Sequence, residues 1–103
     1  MNCYRNDVVL LPIPFTDLTS RKVRPVVVVG RNGADLFLVP ISSVLANTDL
    51  PLRDWGAAGL NVPSGIKSQL ATVEEHLVLK VVGTISIADQ QALNERLRKW
   101  LHL

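Results

Sequence analysis

Four consecutive valines, Val26 to Val29, stand between Arg24-Pro25 and Gly30. Branched side chains are stiff at χ1 and fit a pleated surface, and an unbroken apolar run offers no face to water. The run therefore predicts a central strand covered on both faces, with Pro25 setting an extended start. Such a strand needs apolar neighbours, and the chain supplies them on either side. Upstream, the run from Asp7 to Phe15 is β-branched and aromatic, has no helical spacing of polar positions, and carries Pro12 and Pro14, which a helix interior would not tolerate. It reads as a first strand whose second half lies at an edge or bends out of the sheet, because proline cannot donate to a ladder. Downstream, Asn32-Gly33 lies between apolar runs and predicts a two-residue turn into a strand from Asp35 to Ser43.

Beyond Ser43 the chain mixes short apolar pieces with Gly, Pro, Asn and Asp, which predicts a short strand near Leu50 and an irregular excursion around Trp55. Two further strand-like runs, Ile66 to Val73 and Leu77 to Ser86, flank an acidic turn at Glu74-Glu75 and bring the sheet to at least five strands. The end of the chain changes period. Ser86 with Asp89 forms a capping-box-like start, and Leu93, Leu97, Trp100 and Leu101 make one apolar stripe, with Arg96, Arg98 and Lys99 on the opposite face. Short irregular links favour antiparallel neighbours. The expected fold class is mainly β: one small curled sheet or barrel with a C-terminal helix, in a single domain over residues 1–103.

Composition removes several classes of function. With 48% apolar and 19% charged residues the chain folds around a core rather than staying disordered. Its charge-free stretches are too short and too broken by proline to span a bilayer, and the start Met-Asn-Cys-Tyr-Arg lacks the apolar centre of a signal peptide, so no membrane contact and a cytoplasmic location are expected. One cysteine, Cys3, makes no internal disulfide; it reads as incidental, in a mobile N-terminus. With only His76 and His102 besides, no four-ligand zinc set exists, and neither a metal nor another cofactor is expected. A net charge of +2 is too mild to name a partner, so the positions of the charges must do so.

The densest cationic cluster is Arg21-Lys22-Val23-Arg24. As a plain loop it is solvated charge. As a site, Pro25 holds Arg24 extended at the start of a rigid strand, so that its permanently charged fork is aimed and can grip a phosphate at two points. Ser42 and Ser43, at the end of the third strand, either bond the local backbone or place the Ser42 hydroxyl on the surface Arg24 faces, where the two would clamp one phosphoryl group. Thr16 and Asp17 in the first loop orient Arg24 or a nucleotide, or are ordinary loop residues. Lys67 and Gln69 alternate on a strand and face the same groove or water. Trp55 stacks a base or covers the core. A two-histidine mechanism would need His76 and His102 to converge, and their positions in the chain argue against it.

The Pro14-Phe15-Thr16-Asp17 loop, the basic stretch ending in Arg24-Pro25 before an aliphatic strand, then Leu36–Ser43, Ser68–Ser86 and a closing helix together resemble the MazF/PemK toxins of type II toxin–antitoxin systems. The resemblance runs from about Asn6 to the C-terminus. It implies an SH3-like β-barrel, a homodimer, and a metal-independent endoribonuclease that cuts single-stranded RNA, such as messenger RNA, to 2′,3′-cyclic phosphate and 5′-hydroxyl ends. A cognate antitoxin would block the groove. By position, Arg24 matches the family's catalytic arginine, held to act in proton transfer and to stabilise the phosphorane. Ser42 stands where many members have threonine, keeping the hydroxyl, and Asn6 where many have glycine. Arg21 and Lys22 would steer the RNA backbone. The competing readings are a non-catalytic SH3-like module that binds nucleic acid or peptide, and a degenerate toxin.

Overall fold

In the computed structural model, residues 2–12 and 22–103 are described. The far end of the predicted first strand and the loop with Thr16, Asp17 and Arg21 fall outside them. The elements run β1 (Asp7–Pro12), β2 (Val23–Asn32), β3 (Asp35–Ser42), β4 (Leu50–Pro51), β5 (Gly65–Ile66), β6 (Ala71–Glu74), β7 (Lys80–Thr84) and α1 (Ile87–Leu101), with short 3-10 turns at Leu45–Asn47 and Glu75–Leu77. The seven strands form one sheet in the order β4-β5-β3-β2-β1-β7, with β6 also on β3, and every pairing is antiparallel.

Alternation along the central strands sorts their apolar residues into two cores. Val9 and Leu11 of β1, Val26 and Val28 of β2, and Leu36 and Leu38 of β3 share one with Cys3 and Val78. Val8, Val27, Val39 and Ile41 point the other way and pack with Ile85 and with Leu93 and Leu97 of α1. The valine run is thus buried on both faces as its composition predicts, the sheet curling over one face and the helix covering the other.

The sheet curls without closing. β6 and β7 share no ladder, and the 3-10 turn Glu75–Leu77 bridges between them, with Glu75 N–H donating to the Ala34 carbonyl at 2.8 Å and Leu79 N–H to the Leu10 carbonyl at 2.9 Å. The predicted mainly-β architecture with a terminal helix is present, with an open, curled sheet in place of a closed barrel. The run predicted from Ile66 to Val73 is two strands, because β3 presents Pro40 midway. Pro40 has no N–H to donate; its carbonyl accepts from Lys67 at 2.9 Å, and the ladder resumes only where Ala71 faces Leu38. The hairpin turn also sits one residue later than expected. Asn32 pairs with Asp35, leaving Gly33-Ala34 as the two-residue loop with φ +60° at Gly33, the arrangement a II′ turn asks of glycine.

Helix α1 begins at Ser86, whose hydroxyl accepts the Asp89 N–H at 3.2 Å, and ends at His102 in the left-handed region. Its docked face is wider than the leucine stripe. Arg96 bonds Asp49 at 2.9 Å and the Trp100 indole N–H donates to the same carboxylate at 3.0 Å, so Arg96 belongs to the packed side, whereas Leu101 is exposed.

Candidate functional site

Where β2 begins and β3 ends, the two strands frame a cleft of about 410 Å³. Leu10, Pro25, Ile41 and Val82 supply apolar surface, and Arg24, Ser42, Ser43, Asn61 and Ser64 the polar groups. Arg24 is half-buried and sits opposite Leu11 in the ladder. Ser42 is half-buried opposite Gly65, where a Cβ would lie 2.5 Å from the Thr48 hydroxyl. The Ser42 Oγ accepts the Val44 N–H at 3.1 Å. The oxygen thus braces the local backbone, as the structural reading expects, while a hydroxyl that accepts in this way still has a proton to donate. In the register of β2 against β3, Val26 faces Pro40, so alternation carries Arg24 and Ser42, two residues further out on each strand, to the same side; Ile41, of the opposite parity, lines the cleft as well because the cleft wraps round the strand ends.

Of the other expected residues, Ser43 is exposed on the cleft rim, and Lys22 is exposed one residue before β2. Lys67 and Gln69 do not line the cleft. They follow β5 at the interruption opposite Pro40, where strand alternation no longer applies. Thr16, Asp17 and Arg21 lie outside the described residues. Trp55 is half-buried against the helix-side core, the covering role. His76 pairs with Glu74 at 3.1 Å on the surface and His102 caps α1; neither lines the cleft. Asn61 and Ser64 were not anticipated, since nothing local in Gly59-Leu60-Asn61-Val62-Pro63-Ser64 says that this segment folds against β7.

Away from the cleft, several charged side chains are paired. Arg31 grips both carboxylate oxygens of Glu75 at 2.9 and 3.0 Å and donates to the Cys3 carbonyl, while the Cys3 N–H donates to Glu75 at 3.0 Å. The Arg31 guanidinium, with the Cys3 N–H, holds the Glu75 carboxyl below the usual carboxylate range, and Glu75 in turn raises Arg31. Cys3 is fully buried rather than loose, and burial, then the nearby carboxylates of Glu75 and Asp7, pushes its thiol up. Asp49 is lowered, first by Arg96 and then by the Trp100 indole N–H.

The lining of the cleft includes neither carboxylate nor imidazole among the described residues. A cation that cannot lose its proton, beside a hydroxyl donor, makes an anion receptor suited to a phosphodiester rather than an acid–base pair for sugars or peptides.

A family model described as PemK-like, MazF-like toxin of type II toxin–antitoxin system matches residues 4–101. Among solved structures, an endoribonuclease in complex with its cognate antitoxin from mycobacterial species is similar over 100% of this chain and 97% of that one, at 16% identity and a TM-score of 0.74. The Mycobacterium tuberculosis toxin MazF-mt6 is similar over 94% of this chain and 97% of that one, at 18% identity and a TM-score of 0.73. At these identities the likeness is one of fold. Comparison with curated proteins gives no match in sequence.

Proposed function

We propose, because this chain belongs to the PemK-like, MazF-like toxin family of type II toxin–antitoxin systems, that it is an endoribonuclease acting on single-stranded RNA without a metal ion. The observation that carries this reading is the convergence of Arg24 and Ser42 on one cleft of nucleotide size. In the reaction, the 2′-oxygen attacks the adjacent phosphorus as its proton departs. The bond from phosphorus to the 5′-oxygen breaks, and that oxygen takes up a proton. A 2′,3′-cyclic phosphate and a 5′-hydroxyl result, with no water consumed and no electrons transferred.

Arg24 and Ser42 act as the catalytic residues by meeting the non-bridging oxygens, whose charge grows as phosphorus becomes five-coordinate. Arg24 serves as a fixed cation, since a guanidinium keeps its proton in proteins. Lys22, exposed next to the cleft strand, adds salt-sensitive attraction for the RNA backbone. A second copy of the chain and a cognate antitoxin are the protein partners, and the cytoplasm, where messenger RNA is translated, is the place of action.

The test is incubation with a long single-stranded RNA in excess EDTA beside an Arg24→Ala control, with fragment ends mapped. Discrete cuts ending in cyclic phosphate, absent from the folded control, are expected. Intact RNA from folded wild-type protein would replace this reading with a binding module.

A further inference from the structure

One wall of the cleft is built by a segment that is neither strand nor α-helix, Arg53 to Ser64, yet it is held at every turn. The buried Asp89 carboxylate of α1 accepts the Arg53 and Asp54 N–H groups, each at 2.9 Å. Turn bonds follow from Ala58 to Asp54, Gly59 to Gly56 and Leu60 to Trp55. Gly59, at φ +89°, lies so close to β7 that a Cβ there would strike the Val82 carbonyl, and a Cβ on Gly83 would strike the Ala58 carbonyl. At the far end, the Ser64 hydroxyl donates to the Val62 carbonyl at 2.9 Å, and Leu52 N–H donates to the Ser64 carbonyl at 2.9 Å. A wall anchored this way fixes where its backbone meets the cleft, and the exposed polar residue of the wall that lines the cleft is Asn61.

The other polar side chains of the cleft, Ser43 on its rim among them, are a guanidinium and hydroxyls, and none carries an amide's paired donor and acceptor. Arg24 offers only donors, the Ser42 oxygen takes the Val44 N–H, and the Ser64 hydroxyl is engaged with Val62. Among the described residues the Asn61 amide has no hydrogen-bond partner, and Asn61, which lines the cleft with its neighbours Leu60 and Val62, has both a donor and an acceptor to offer. That is the pattern that matches the edge of an unpaired base, as an asparagine amide matches N6 and N7 of adenine. We propose that Asn61 reads the base of a nucleotide flanking the scissile phosphate, and so sets sequence preference while Arg24 and Ser42 handle the phosphate. This rests on the ribonuclease reading above.

The experiment cuts a pool of single-stranded RNA, randomised in sequence, in excess EDTA with wild type, Asn61→Ala and Asn61→Asp, and maps every new 5′-hydroxyl end. Asn61 is exposed and outside both cores, so both variants should fold as wild type does. Wild type is expected to favour one base at a position beside the cut. In Asn61→Ala that preference should fall about 5- to 150-fold, the range for losing one paired amide–base contact. Asn61→Asp, which keeps acceptors and loses both donors, should move the preference toward a base offering a donor, such as cytosine. An unchanged base profile in Asn61→Ala overturns the assignment and leaves the ribonuclease standing. Folded Asn61→Ala that cuts no sequence also overturns it, because base reading redistributes cleavage rather than abolishing it. Absence of cutting by wild type overturns the ribonuclease and the assignment together.

Discussion

Ser42 illustrates how much one hydroxyl can hold. Its oxygen braces Val44, and its proton is available to the cleft. Ser42→Ala removes the donor meant for a phosphorane oxygen, and kcat is expected to fall by roughly 10²- to 10³-fold, as on deleting one donor of an oxyanion site. Ser42→Thr retains the hydroxyl, with χ1 stiffened by the added methyl, and should cut at least as fast as wild type. Single-turnover cleavage of one RNA oligonucleotide measures both, and an Ala variant as fast as wild type would remove Ser42 from the chemistry. At this scale the sequence was legible where the backbone rule is local: Arg24, before Pro25, falls in the extended start of β2, as the proline argument expects. It was not legible at Cys3, which is buried among β1, β2, β3 and Val78 and whose N–H meets Glu75, 72 positions away.

Among the elements, α1 does more than cover a core. Through Asp89 its first turn holds the segment that walls the cleft. Asp89→Ala would strand two part-buried N–H donors, at roughly 1–3 kcal/mol for each, and urea denaturation should find the variant less stable by that order; a loss under about 0.5 kcal/mol would mean that water replaces the carboxylate. The capping role of Ser86 and the leucine stripe could be read from spacing, since both are local. The role of Asp89 could not, because its partners, Arg53 and Asp54, lie 36 and 35 positions away. The same holds for the interruption opposite Pro40. A proline in an apolar run is visible in sequence, but which neighbouring strand needs its missing N–H is set only by the register of β3 against β5 and β6.

At the scale of the molecule, two ionic clasps among the described residues bind chain segments far apart in sequence, Arg31 with Glu75 and Arg96 with Asp49. Both carboxylates bind protons less readily folded than unfolded, so protonation favours the unfolded chain. Their contribution is complete above the ordinary carboxylate range and is lost as pH falls below about 4 through the lowered folded values. The melting temperature should drop steeply in that window, and less steeply in Glu75→Gln; parallel curves would show the Arg31 clasp to be neutral. Away from the cleft, a groove of about 790 Å³ is lined by Phe37, Leu70 and Leu101, all exposed apolar side chains. Exposed apolar side chains gathered in one groove mark an interaction surface. For the homodimer proposed above, light scattering at micromolar concentration should report twice the 11.3 kDa chain mass; a monomer mass would refute it.

The valine run of β2 has a last consequence. In most strands the alternation of apolar and polar residues fixes how a strand lines up with its neighbours, since a slip of one position turns the greasy side outward. Four identical residues between two cores remove that safeguard: a slipped β2 would still bury a valine wherever one is needed. Alignment must then be imposed from the ends, by the tight reversal at Gly33 and by the irregularity between Val28 and Gly30. It is these few positions, not the valines, that keep Arg24 in step with Ser42. A single residue inserted near Gly33 would leave both cores filled and the cleft out of phase.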